Sequence, residues 1–170
     1  MESNNTNFLR LGYLFGHRPN ARAIISGSKQ YQQIKGVVSF YQTSYGVIVR
    51  AEVIGLPQGN GECNKPIFAF HIHSGTDCDS TSVESFVNAG THYNPKDCLH
   101  PYHSGDMPPL FSVNGRTLSV FLTDRFTVRE VVGKVVIIHN LPDDFTTQPS
   151  GNAGEKIACG AIERLYISQI

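Results

Sequence analysis

Short runs of β-branched and aromatic residues recur along the chain, separated by stretches rich in glycine, proline and polar residues. Residues 21–26 (ARAIIS), 34–41 (IKGVVSFY), 46–54 (GVIVRAEVI), 66–73 (PIFAFHIH), 116–122 (RTLSVFL), 134–139 (KVVIIH) and 157–167 (IACGAIERLYI) carry this pattern. Such segments, spaced by turn signals, predict strands. The proline at 66 fits a strand start. Only residues 127–132 (TVREVV) suit a helical turn, and they suit a loop equally. Seven or eight strands with glycine- or proline-containing connections predict an all-β fold, an antiparallel sandwich or barrel.

Two connections break the rhythm. Residues 74–110 and 140–156 show little strand pattern. Loops of that length are rare in a compact domain unless something organises them, such as a metal, a disulfide or a bound partner. Residues 1–20 read as a flexible or loosely docked arm, and 21–170 as one domain.

Composition agrees with a turn-rich globular chain. Of 170 residues, 40% are apolar and 16% charged, and the 16 glycines and 9 prolines outnumber the 14 lysines and arginines. No run of about 18 apolar residues is present, so no membrane-spanning helix is expected. Net charge is zero with the histidines neutral, which argues against nucleic acid as a partner. The first residues lack the basic start, apolar stretch and cleavage site of a signal peptide. A cytoplasmic location is therefore expected, unless the chain is a trimmed mature form. The cysteines at 63, 78, 98 and 159 form no CxxC pair, which speaks against a zinc ribbon or a thioredoxin-like motif.

The histidines carry the chemistry. Six of the seven lie between 71 and 139. His71 and His73 end a strand two residues apart, so both rings project from one face and can reach one ion. Taken alone, such a pair is more often two polar residues on a strand. His92, His100, His103 and Asp106 fall in the first long loop, and three imidazoles with one carboxylate suit structural zinc. Against that stands a merely polar loop, but four ligand-type side chains in a segment that needs an organiser favour a metal. His139 ends another apolar strand, at the rim, where a sheet supports a rigid site. His17 stands apart, in the arm.

These residues sit in longer motifs. FAFHIH (68–73), AGTHYNP (89–95), HSGDMPPL (103–110), VVIIHNLPDD (135–144) and GNAGEKIACGAI (151–162) follow one another in the order of the copper–zinc superoxide dismutase family. The resemblance spans residues 21–167, and GNAG-x-x-x-ACG is its most specific part. It implies a Greek-key β-sandwich, or flattened barrel, of about eight strands with two long functional loops. That family is itself a known example of sandwich architecture. It further implies copper on His71, His73, His92 and His139, and zinc on His92, His100, His103 and Asp106. His92 would bridge the two through its two ring nitrogens. Asp143, four residues after His139, resembles the carboxylate that joins ligand histidines of both sites. Cys78 and Cys159 resemble the family disulfide. Cys63 and Cys98 have no counterpart, and a second bridge between them stays open.

Three departures stand out. Lys156 occupies the position of the family arginine that guides the anionic substrate; lysine keeps the charge but lacks the planar fork. His100 and His103 are three residues apart, closer than the family spacing. The stretch from His73 to His92 is longer than usual. The expected activity is dismutation of superoxide, a small anion, to dioxygen and hydrogen peroxide by copper redox cycling, with zinc structural. His92 and Lys156 are the expected catalytic groups, His92 by taking up and returning a proton. The alternatives are a non-enzymatic copper-binding protein and a zinc-only structural protein on the same fold. A homodimer is compatible with these features, but no segment marks an interface.

Overall fold

The computed structural model describes residues 17–61, 63–64, 66–79 and 85–166. Among these residues, eight strands form one sheet: β1 (Ala21–Gly27), β2 (Lys35–Thr43), β3 (Gly46–Ile54), β4 (Ile67–His73), β5 (Asp106–Phe111), β6 (Arg116–Thr123), β7 (Val135–His139) and β8 (Lys156–Arg164). Their order is β5-β4-β7-β8-β1-β2-β3-β6, and every pairing is antiparallel. The end strands β5 and β6 approach each other, so the sheet curls into a nearly closed barrel. The crossing from β3 to β4 and the return of β7 and β8 to β1 are the Greek-key connections expected.

Alternation sets what faces inward. β1 and β3 bury every second residue: Ala21, Ala23 and Ile25, then Val47, Val49, Ala51 and Val53. β4 and β7 differ, being buried on both faces. Phe68, Phe70, Ile72, Val136 and Ile138 point into the barrel core. By strand parity, His71, His73, Val135 and Ile137 take the opposite, outer face. A smaller apolar cluster of Phe86, Ala89, Val135, Ile137 and Cys159 covers part of that face. The long loops therefore act as a roof, which explains the near-continuous apolar reading of KVVIIH.

A disulfide joins Cys78 to Cys159, 81 residues apart, and ties the first loop to β8. Cys63 and Cys98 are free thiols, so the second bridge considered above does not form. A helical turn does occupy Val128–Val131. The Glu130 carboxylate accepts from both the amide and the hydroxyl of Thr127, closing its N-terminus.

One strand went unread in the sequence. β5 (DMPPLF) begins at Asp106, within the 74–110 stretch that shows little strand pattern, and ends one residue past it. Pro108 and Pro109 remove two ladder donors, which a strand tolerates only at an edge or a bulge. β5 pairs with β4 alone, across a register shift between Phe68 and Phe70. Of the expected arm, residues 1–16 lie outside the described residues. Asn20 is tied into the barrel, donating its amide to Phe40 O at 2.8 Å and accepting from the Gln42 and Leu165 amides. The end of the last expected strand, residue 167, also lies outside them. Among the described residues, no helix is long and apolar enough to cross a membrane.

Candidate metal centre

Under the roof, two groups of ligand-type side chains share one member. His71, His73, His92 and His139 form the first; His92, His100, His103 and Asp106 form the second. In each, one ligand atom per residue lies within 4.8 Å of all the others, and all seven side chains are buried. Strand placement brings most of the first group together. β4 supplies His71 and His73, and β7 supplies His139. His92 joins them by a bridge to His73 in the chain pairing. In the second group, His92, His100 and His103 come from the loop, whereas Asp106 is the first residue of β5; the His103 amide donates to Asp106 Oδ2 at 3.0 Å.

Hydrogen bonds fix which nitrogen each ring presents. His71 Nε2 donates to Asp143 Oδ2 at 2.8 Å, leaving Nδ1 buried with no partner. His73 Nδ1 donates to Gly90 O at 2.8 Å, and His139 Nδ1 to Gly154 O at 3.3 Å. The bare Nε2 atoms of His73 and His139 then face each other at 3.2 Å. His92 places Nδ1 at 2.7 Å from Asp106 Oδ1, while its Nε2 is buried and unpaired. Four lone-pair nitrogens thus converge without donors. Such an arrangement is costly unless a cation occupies their midst.

The second group repeats the logic. His100 Nε2 donates to Asp143 Oδ1 at 2.9 Å, which turns His100 Nδ1 toward Asp106 Oδ2 at 3.1 Å with no donor between them. His103 Nδ1 lies 3.3 Å from the same oxygen and 3.4 Å from His92 Nδ1. The donor sets fit the implied metals: imidazoles suit copper, and three imidazoles with a carboxylate suit zinc.

Charge follows burial. Burial holds His73 well below the usual imidazole range, and the neighbouring histidines add to the effect. Burial also brings His139 down to about 3, with smaller contributions from His71, His92 and Lys156. His71 and His103 are lowered by burial too, partly offset by Asp143 and Asp106 respectively. Burial alone would raise the Asp143 carboxyl, but hydrogen bonds from His71, the Phe145 amide and His100 hold it far below the usual carboxylate range. Neutral rings and an ionised carboxylate are the protonation states a metal requires.

Similarity to known proteins accords with this geometry. The family model described as copper/zinc superoxide dismutase matches residues 34–162. The chain belongs to the copper/zinc superoxide dismutase family. It is 32% identical over 145 residues to one of the Cu-Zn superoxide dismutases of Aquifex aeolicus, covering 76% of this chain and 80% of that one. It is 30% identical to that of Photobacterium leiognathi, covering 92% and 95%. Among solved structures, a SOD-like protein from Bacillus subtilis shares the fold, with a TM-score of 0.68 at 24% identity over 82% of this chain and 96% of that one.

The candidate ligands of this superoxide dismutase family member all converge, and Asp143 accepts hydrogen bonds from both His71 and His100. Lys156 stands opposite His139 in the β7–β8 ladder. Its ammonium donates to Phe86 O at 3.3 Å. His17 is exposed and outside both groups. Three contributors escaped the sequence. Gly90 and Gly154 orient ligand rings through their carbonyls. Gly151, at φ +68°, passes so close to Asp143 Oδ1 that a β-carbon would overlap it. Glycines repeated as in GNAG are a general signal for close backbone approach, but nothing in the sequence names what is approached.

Proposed function

We propose that this chain is a superoxide dismutase that converts two superoxide anions and two protons to dioxygen and hydrogen peroxide. His71, His73, His92 and His139 would hold copper; His92, His100, His103 and Asp106 would hold zinc. One observation carries the reading: His92 belongs to both groups, with Nδ1 toward Asp106 and Nε2 buried without a partner. Copper supplies one-electron redox chemistry, and zinc, which has none, supplies fixed positive charge.

The chain's own residues do the rest. Asp143 accepts from His71 and His100 at once, so it locks one ring of each group in the same tautomer. His92 Nε2, bare and buried, is the atom able to take up a proton and return it to the product. Lys156, half-buried opposite His139, presents positive charge to an incoming anion.

The test is metal analysis and a dismutase assay on one sample. The expected result is copper and zinc in the protein and activity well above that of free copper. A loaded protein no more active than the free ion would overturn the assignment. Lys156→Ala should lower the rate and weaken its dependence on ionic strength, whereas Lys156→Arg should retain or raise it. Equal, salt-independent rates in all three would remove Lys156 from the mechanism.

A further inference from the structure

The second group hangs on residues 92–105, a short segment with little regular structure, and on Asp106 at the start of β5, yet its rings converge. Two side chains from outside the segment hold its main chain. Arg125, in the connection after β6, brings one guanidinium nitrogen to 2.7 Å from Pro101 O, 3.2 Å from His103 O and 3.3 Å from Asp106 O. Gln148, in the second long loop, donates Nε2 to His100 O at 2.7 Å, and its Oε1 accepts the His100 amide at 3.0 Å. Its amide therefore pairs with His100 as a strand neighbour would. Three of the residues so gripped, His100, His103 and Asp106, belong to the second group. Neither clamp touches a ligand atom.

We propose that Arg125 and Gln148 are positioning residues for the second metal group, and that together they set how tightly it retains its ion. This rests on the assignment of zinc to that group. The physical case is that three carbonyls converging from one turn create a local negative potential. A permanently charged donor with fixed geometry satisfies it. The main chain at His100 has no ladder partner, so its donor and acceptor need Gln148 in place of a neighbouring strand. With both clamps in place the metal meets a loop already ordered; without them, binding must order the loop at the same time. Partners one layer beyond the ligands commonly change metal affinity by about 10- to 100-fold.

Full-length protein loaded with copper and zinc should be compared with Arg125→Gln, Arg125→Lys and Gln148→Leu. Each would be challenged with a zinc chelator. Zinc release should speed up about 10- to 100-fold in Arg125→Gln and Gln148→Leu. Arg125→Lys should fall between, and should serve if the glutamine variant fails to fold. Copper release should change much less. With cobalt(II) in place of zinc, the visible absorption should shift in the variants, reporting altered ligand geometry. Wild-type zinc release with an unchanged cobalt spectrum would overturn the proposal. So would equal acceleration of zinc and copper loss with a lowered melting point of the metal-free protein, since that signals general loosening. If the parent chain itself takes up no zinc, the metal assignment fails first, and the zinc content of the parent distinguishes that outcome.

Discussion

At the scale of single residues, the site is a problem in satisfying buried polar atoms. Asp143 accepts from His71, His100 and the Phe145 amide, three donors for one carboxylate. Asp143→Asn replaces one acceptor oxygen with a donor, so at least one ring loses its partner or changes tautomer. We expect about 10- to 100-fold weaker metal retention, measured by dialysis against graded chelator. The buried imidazoles set a pH dependence in the metal-free protein. An unfolded histidine protonates near 6.5, while folded His139 resists protonation down to about 3 and His73 is shifted the same way. Between those values the unfolded chain binds more protons. Stability therefore falls as pH falls through that window, by up to about 1.4 kcal/mol per pH unit for His139, and His73 acts in the same direction. Urea midpoints of the metal-free protein at pH 7.5 and 4.5 should show the drop, and His139→Gln should shrink it. A midpoint that rises toward pH 4.5 would contradict this account.

At the scale of elements, the strands most legible in the sequence were those with one wet face or a continuous apolar run. β3 matched its expected limits, and β1, β2, β6 and β7 shifted by two residues or fewer at their ends. β5 was illegible because its prolines suppress the strand signal and its pairing depends on β4 being there to accept it. The loops draw order from the elements beneath them. Cys78–Cys159 closes 81 residues between loop and β8. In the chain-entropy model, closing a loop of that size stabilises by roughly 4–5 kcal/mol. Cys78→Ser should lower the urea midpoint accordingly. It should also raise hydrogen exchange in residues 85–92 more than in β1–β3, because the apolar cluster beneath Phe86 loses its anchor. Uniform deprotection across the barrel would show that the bond serves the whole fold instead.

At the scale of the whole molecule, barrel and site are separable layers. The main core lies inside the barrel, while the candidate ligands lie on the outer face of β4 and β7, in the first loop and at the start of β5. Metal that binds only the folded state should raise the melting point by mass action. Chelation should then expose amides in residues 85–105 and 140–155 first, with the barrel strands protected to higher denaturant. Simultaneous exposure of both layers on chelation would argue against this separation. The sequence by itself determined the class of fold, because strand periodicity and turn residues are local properties. It also singled out the ligand-type side chains, because few chains concentrate six histidines in motifs of this order. It could not decide which histidine nitrogen carries a proton, that Cys63 and Cys98 stay apart, or that Arg125 and Gln148 reach the loop. Those depend on contacts between residues far apart in the chain, such as 48 positions between His100 and Gln148. Such distances become short only when the barrel closes and its loops fold back over β4 and β7.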